Sequence, residues 1–390
     1  MNNMKILHLA SFTGNIGDEA NHSGFRRKLR ENLDMNFTYT DLEIRKFYKS
    51  WGLMKFDNSF VHLCNSHDFV IIGGGNFLEL CWDYSQTGTT IDISIEMLEK
   101  IKRPIIFNTI GVDDGKGISQ DNIDKFKVFL DYILDSDKIL FSVRNDGSKD
   151  ILKKYFNDSK LDSVHVVPDG GFFLTTKDFY QVEYDKNKVN IGINIAGDMI
   201  SIRFGDNYNG FCKNFGNYIN TILSINDNIN IVFLPHMYLD IRIIGETMEY
   251  IEDEYRRNRI SIAPLLNGNL NGGQYIFNLY RNMDLILGMR FHSNVCSIGQ
   301  NIPNIGLITY HKHGYLFDEV GLSDRALFVN DSNFFIDLLS KTKDDLNNLE
   351  KIKDRYKVVN KKLNNDLDEF HQTIKRFLEG NEKLLAGDLL

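Results

Sequence analysis

The sequence predicts an α/β protein built from two Rossmann-like sheets, and three observations carry that prediction. Short apolar runs alternate with amphipathic stretches of helical length along most of the chain, as in parallel sheets wound by helices. Several runs close on a glycine or a polar residue, among them Gly73-Gly-Gly75, Gly111, Arg144 and Gly288. This gathers ligand-tolerant groups at the carboxyl edge of a sheet, where open α/β folds bind. The alternation restarts after a mixed polar and aromatic stretch at 173–188, and 390 residues is a two-domain length. We therefore expect an N-terminal domain over 1–175, a second over 188–335 and a helical tail over 340–380.

Composition narrows the function classes. The chain is 42% hydrophobic and 25% charged with only 5 prolines, which is enough apolar material for sizeable cores. A net charge of −8 argues against a nucleic-acid partner, since phosphate backbones are held by clustered Lys and Arg. An anionic substrate would need a local positive pocket. Cys64, Cys81, Cys212 and Cys296 are far apart and form no CxxC or zinc spacing. They read as free thiols in a reducing compartment. The apolar segment after Met1 is too short for a signal peptide, and no run approaches a membrane span. The expectation is a cytoplasmic protein, or one held at the inner face of a membrane.

Taken in order, strand one is expected over Lys5–Ser11, then a loop over Phe12–Gly17 and a helix opening near Asp18. Gly14 and Gly17 suit any βα turn. They would also let a ligand approach free helix N–H groups. Strands are expected at Phe37–Leu42, Asp68–Gly75, Pro104–Gly111, Lys138–Arg144 and Val164–Pro168, with helices at Ile91–Ile101, Asp121–Leu134 and Asp146–Tyr155. The triple glycine before Asn76 requires an unusual turn, either a tight bend alone or the lining of a ligand cleft. In the second half, strands are expected at Val189–Ala196, Asn230–Pro235 and Ile260–Ala263, with helices at Phe211–Ile225, Asp240–Tyr255 and Tyr275–Arg281. His236, just after the second of these strands, is either a loop or capping residue or a substrate ligand. The tail repeats apolar residues every three or four positions from Leu346 to Phe377, one seam that packs on the protein body.

The focal stretch is Gly288 to Pro303 with Tyr310-His-Lys312 beyond it. Asp284–Gly288 reads as a buried strand, His292–Gln300 as a short helix and Ile305–Ile308 as the next strand. Arg290, His292 and Lys312 would then stand at one rim: a bidentate anion clamp, a group titrating near neutrality and a point charge. A lone histidine at a strand-to-helix turn is more often a packing or capping residue than a catalyst. The joint placement favours the functional reading.

These motifs together resemble the polysaccharide pyruvyl transferase family. Its N-x-G-D-x-A loop is matched by Asn15–Ala20, its D-x-x-x-x-G-G-G segment by Asp68–Gly75 and its S-x-R strand end by Ser142-Val-Arg144, with Ser148 in the next helix. Pro235-His236 with Asp240, Gly288–His292 in a G-x-R-x-H pattern, Pro303 and Tyr310-His-Lys312 complete it. Phe291 stands where leucine is usual, and the tail lies outside the match. The resemblance implies a glycosyltransferase-B-like fold, two Rossmann-like domains facing a cleft. It implies transfer of pyruvate from phosphoenolpyruvate to a sugar or lipid-linked oligosaccharide, forming a ketal in capsule, exopolysaccharide or cell-wall polymer synthesis.

Such chemistry calls for cations on the donor, an acid and a base. Arg144, Arg290 and Lys312 are the candidate cations, His292 the acid or the group that meets the departing phosphate, and Asp18 either the base or only a helix-terminal charge. Asn15, Gly17, Gly74, Gly75, Asn76 and His236 are the further binding candidates. No metal or cofactor is called for. The alternatives are a nucleotide-sugar glycosyltransferase of the same fold, for which no acidic ribose ligand is evident after 305–308, and a non-catalytic sugar- or anion-binding protein.

Overall fold

The computed structural model describes residues 3–266 and 271–381. The chain forms two compact units that interleave in sequence. The first comprises the chain up to Phe12, Phe25–Asp169 and the chain from Leu363 on; the second comprises Thr13–Gly24 and Gly170–Lys362. The ranges expected from sequence divide the chain linearly, whereas the units exchange two pieces.

The first unit follows β1 (Asn3–Ala10), α1 (Ile16–Leu33), β2 (Asn36–Glu43), α2 (Asn58–Asn65), β3 (Phe69–Gly73), β4 (Leu78–Glu79), α3 (Ile95–Lys100), β5 (Ile105–Ile110), β6 (Val112–Asp113), α4 (Gln120–Asp135), β7 (Ile139–Arg144), α5 (Ser148–Tyr155) and β8 (His165–Val167). Its main sheet runs β2-β1-β3-β5-β7-β8, and the two-residue strands β4 and β6 pair separately. Every pairing is parallel. One face, with Leu7, Val70, Ile105 and Phe107, packs with Phe126 and Phe129 of α4, and the other, with Ile6, Phe69, Ile71 and Ile106, is buried too, as a sheet covered on both sides requires.

The second unit continues with β9 (Val189–Asn194), α6 (Ile200–Phe204), α7 (Tyr208–Ile225), β10 (Ile229–Phe233), α8 (Tyr238–Met248), α9 (Asp253–Asn258), β11 (Ile260–Ile262), α10 (Gly272–Tyr280), β12 (Leu285–Gly288), α11 (Phe291–Gly299), β13 (Asn304–Ile308), α12 (His311–Glu319), β14 (Ala326–Phe328), α13 (Phe334–Leu346) and α14 (Leu349–Gly380). Its parallel sheet runs β11-β10-β9-β12-β13-β14. The strand order reverses between β9 and β12, which puts the ligand-binding crevice of such a sheet beside Asn194 and Gly288. In the first unit the reversal falls between β1 and β3, beside Gly73.

Several expected boundaries shift. Helix α1 opens at Ile16 rather than near Asp18 because Asn15 caps it, its side-chain oxygen accepting from the Gly17 N–H at 3.0 Å. Ile16 and Ala20 pack with Val232, Ile276 and Cys296, so the start of α1 is part of the second unit's core. Ser94 caps α3, which leaves Ile91–Ile93 outside the helix. The single helix expected over 240–255 is two, since the chain turns after Met248 and buries Ile251 among the core residues. Helices α2 and α12 and strand β14 were not anticipated; α2 is started by Asp57, whose carboxylate accepts from the Ser59 and Phe60 N–H groups. The tail seam is buried at Tyr356, Leu363, Leu367, Phe370 and Ile374. No helix among the described residues is long and apolar enough to cross a membrane.

Candidate functional site

In the second unit, the carboxyl ends of β9 and β12 lead directly into the charged residues. Asn194 ends β9, and its side-chain oxygen accepts from the Arg290 N–H at 3.0 Å. Arg290 caps α11 and is buried. Its Nε donates to Asp240 Oδ2 at 2.8 Å, and its Nη2 donates to Asp240 Oδ1 at 2.5 Å and Asp198 Oδ1 at 2.9 Å. The fork expected to clamp a substrate anion is thus bidentate to a protein carboxylate. Asp240 also accepts from the N–H groups of Gly197, His236 and Met237. Burial opposes its charge, but Arg290 and these hydrogen bonds outweigh that and hold the carboxyl below its ordinary range. Arg203, also buried, donates through Nη2 to Asp198 at 3.3 Å and through Nη1 to Thr309 Oγ1 at 2.9 Å. Arg203, Arg290, Asp198 and Asp240 balance in charge, so the cluster itself supplies no surplus for an anion.

The N-terminal loop meets this edge. Ile16 donates its N–H to the His236 carbonyl at 3.4 Å. Gly17 lies so close to His292 that a Cβ built on it would stand 2.5 Å from the ring Nδ1. Only a glycine lets the imidazole lie there. Asn15 Nδ2 reaches Asp18 Oδ1 at 3.5 Å, and Asp18 and His292 are both buried. Asn15, Gly17, Asp18, His236, Arg290 and His292 are therefore neighbours in one unit. Lys312 sits in the first turn of α12, buried. The adjacent His313 is joined through Nδ1 to the Met289 carbonyl at 2.9 Å, which holds the start of α12 beside the Arg290–His292 turn.

His236 is fully enclosed. Its Nε2 pairs with Tyr280 Oη at 2.8 Å, and that hydroxyl pairs with Ser293 Oγ at 2.9 Å. Burial, reinforced by the Arg290 charge, pushes its pKa down to about 3, so the ring is neutral near pH 7. It positions the N-terminal loop and α11 from beneath.

The first unit has its own constellation. Gly73 and Gly74 have φ of 143° and 78°. A Cβ on Gly73 would meet the Asn108 carbonyl at 2.1 Å, and the Gly74 N–H donates to that carbonyl at 2.9 Å. Gly75 accepts from the Gly111 N–H at 2.8 Å. Asn76 and Arg144 both lie against Gly111: a Cβ there would be 2.5 Å from Asn76 Oδ1 and 3.3 Å from Arg144 Nη2. The triple glycine is therefore a close-approach turn that brings Asn76 and Arg144 together. Arg144 also carries protein carboxylates, with Nε and Nη2 on Asp146 at 2.9 and 2.8 Å and Nη1 on Asp169 at 3.4 Å. Asn76 Nδ2 donates to Asp113 Oδ2 at 2.7 Å.

The carboxylates are the main residues that sequence reasoning missed as site members: Asp198 beside Arg290, and Asp146 and Asp169 around Arg144; Asp240 entered only as part of the motif, with no role given to it. Each follows a strand end by a few residues, which was the available signal. Arg203, Asn194 and Tyr280 were missed too; of these only Asn194, a polar residue closing an apolar strand, was visible in the pattern.

A family model described as polysaccharide pyruvyl transferase matches residues 15–312. No curated protein matches the chain. Among solved structures, a candidate UDP-N-acetylglucosamine 2-epimerase from Listeria monocytogenes is similar at 10% identity and a TM-score of 0.58, covering 91% of each chain. The UDP-GlcNAc 2-epimerase from Neisseria meningitidis bound to UDP-GlcNAc is similar at 12% identity and a TM-score of 0.53, covering 92% of this chain and 99% of its own. An α,α-trehalose-phosphate synthase (UDP-forming) from Burkholderia vietnamiensis is similar at 9% identity and a TM-score of 0.51, covering 100% and 99%. At these identities the likeness concerns the fold, which is glycosyltransferase-B-like with two Rossmann-like units.

Proposed function

Since the chain belongs to the polysaccharide pyruvyl transferase family, we propose that it transfers pyruvate from phosphoenolpyruvate to two hydroxyls of a sugar, free or lipid-linked, in the synthesis of a bacterial surface polymer. The observation that carries this reading is the family match itself, which opens on Asn15 and closes on Lys312. Between those ends lie the residues that cluster at the β9–β12 edge.

The reaction adds a proton to the methylene carbon of phosphoenolpyruvate, making C2 electron-poor. One sugar hydroxyl adds to C2 and loses its proton. Phosphate leaves with the C2–O bond pair, and the second hydroxyl closes the ketal as its proton passes to the phosphate. His292, fixed against Gly17, is our candidate for the proton delivered to carbon or to the departing phosphate. Asp18 is the candidate for the proton taken from the attacking hydroxyl. Lys312 adds positive charge where phosphate charge develops. Arg290 we assign to positioning: its fork holds Asp240 and Asp198 and so fixes the backbone from which His292 projects. In the first unit, Gly74, Gly75, Asn76 and Arg144 remain our binding candidates, with Arg144 set by Asp146 and Asp169.

A second reading is favoured by two fold neighbours, one bound to UDP-GlcNAc and one described as UDP-forming: transfer from a nucleotide sugar. Phosphate release from phosphoenolpyruvate, measured with a panel of aryl-glycoside and lipid-linked sugars against an acceptor-free control, separates the two. We expect acceptor-dependent release with a matching mass gain on the sugar. Nucleotide release without consumption of phosphoenolpyruvate would support the second reading. Near-normal turnover by both His292→Ala and Arg144→Ala would overturn the residue assignment.

A further inference from the structure

We infer that the loop between β2 and α2 in the first unit is a docking element for an anionic lipid bilayer. The segment Ile44-Arg-Lys-Phe-Tyr-Lys-Ser-Trp-Gly-Leu-Met-Lys-Phe56 contains no acidic residue, in a protein whose net charge is −8. Its base is fixed: Ile44 and Phe56 are buried, and Phe47 stacks on Phe56 with ring centroids 4.2 Å apart while Phe56 meets Phe60 at 5.0 Å. Its tip is a hydrogen-bonded turn, with the Trp51 and Gly52 N–H groups donating to the Tyr48 carbonyl at 3.0 and 2.8 Å and those of Leu53 and Met54 donating to the Lys46 carbonyl at 3.0 and 2.9 Å. Gly52 provides the positive φ, 58°, that the turn requires.

This rigid tip presents apolar groups outward. Trp51 is 48% exposed and Leu53 is 67% exposed. Tyr84, 43% exposed, stands beside it, with the Lys49 Nζ 5.6 Å from its ring centroid. Lys46, Lys49 and Lys55 flank the tip in sequence, the last two exposed, while Arg45 is engaged by Glu43 and Ser11. The neighbouring acids are each engaged: Glu43 accepts from Phe12 N–H, Asp57 caps α2, Asp83 accepts from Asn122 Nδ2, Asp92 accepts from the Gln86 N–H and Glu79 pairs with Lys116. An exposed tryptophan and leucine with exposed lysines close in sequence match the two layers of a bilayer surface. The indole belongs at the headgroup level, leucine inserts beneath it, and the ammonium groups meet anionic lipid. The order built into the turn means that little conformational freedom is lost on docking. The inference does not depend on pyruvyl transfer, although a lipid-linked acceptor would give such docking a purpose.

The test is partition of the full chain onto phosphatidylcholine vesicles with and without phosphatidylglycerol, at low and high salt. The chain has two tryptophans, so the Trp82→Phe variant leaves Trp51 as the single reporter. We expect binding to the anionic vesicles only, weakened by salt, with Trp51 emission shifted to the blue and quenched by brominated acyl chains. Leu53→Ser, which keeps the Trp51 reporter, should reduce the quenching, and Trp51→Ser with Leu53→Ser should abolish co-sedimentation with the anionic vesicles. Lys49→Ala with Lys55→Ala, both on exposed side chains, should weaken binding by about fivefold per charge with no change in melting temperature. Equal partition onto neutral and anionic vesicles, or unquenched Trp51 in the bound state, would overturn the proposal. Absence of vesicle binding would do so as well and would point to a protein partner for this face. Turnover on a water-soluble acceptor should be the same for all these variants, so failure of docking is distinguishable from failure of the proposed reaction.

Discussion

At the residue scale, Gly17 and Arg290 separate packing from chemistry. Gly17 has no room for a methyl group, because a Cβ would stand 2.5 Å from His292 Nδ1 and 2.6 Å from its Cβ. Gly17→Ala must move the imidazole or the loop, and displacement of a catalytic group by about 1 Å can cost about a hundredfold in rate. We expect kcat to fall by roughly that factor while KM for phosphoenolpyruvate changes little, as steady-state kinetics would register. Parity with the wild type would mean that His292 does no chemistry. Arg290 makes the opposite case. It pairs with Asp240 inside the protein, and breaking a buried pair by removing one partner costs about 3–5 kcal/mol. Arg290→Ala should therefore lower the urea midpoint sharply. If Arg290 were a substrate clamp alone, the midpoint would hold and only KM would rise.

At the scale of elements, the tail is joined to the site by a line of side chains within the second unit. Tyr356 on α14 donates its hydroxyl to Asn304 Oδ1 at 2.7 Å; Asn304 Nδ2 donates to Asn294 Oδ1 at 2.8 Å; Asn294 Nδ2 donates to the carbonyls of Gly288 and Arg290 at 3.0 and 3.2 Å. Arg325, bidentate to Asp345, donates to the Asn304 carbonyl as well. The β12–α11 turn is thus braced from α14 through the start of β13. Tyr356→Phe removes one buried hydroxyl and leaves Asn304 Oδ1 short of a donor, a loss of about 1–2 kcal/mol that chemical denaturation would detect. A change below a few tenths of a kcal/mol would show the brace to be idle. The sequence made α14 legible as an apolar seam but not as a brace, because its polar members, Tyr356 and Asn304, meet only in three dimensions. The same limit explains the rest. Strands and the G-x-R-x-H turn were readable from local pattern. The pairing of Arg144 with Asp169 and of Arg290 with Asp198 and Asp240, and the membership of Thr13–Gly24 in the second unit, depend on contacts distant in sequence. The break between α8 and α9 follows from the burial of Ile251, which helical periodicity through Tyr255 concealed.

At the scale of the whole molecule, each unit buries a neutral histidine, and the two shape how the fold responds to acid, with His165 lowered by burial beside them. His236 in the second unit is pushed down to about 3 by burial and by Arg290. His371 in the first is pushed down to about 4 by burial, with Lys28 adding to the effect and Asp368 opposing it. Both titrate near 6.5 in the unfolded chain. Between 6.5 and the folded values the unfolded state binds more protons, so stability rises with pH there and falls as the solution is acidified. Well inside that window each histidine contributes a slope of about 1.4 kcal/mol per pH unit. Asp198 and Asp240, both depressed in the fold from 3.8, add to acid sensitivity only below about their unfolded value. Urea midpoints measured from pH 7.5 down to pH 5 should therefore drop in the histidine window, before any carboxylate effect. His371→Asn should flatten the slope by about one proton, since an uncharged side chain there cannot titrate; Asn32 Nδ2, which meets the ring at 2.8 Å, keeps Asp368 Oδ1 at 2.6 Å as its acceptor. An unchanged slope would mean that His371 gains its proton in the fold as readily as in the unfolded chain, and the acid sensitivity would then belong to His236 and to His165, which burial also lowers.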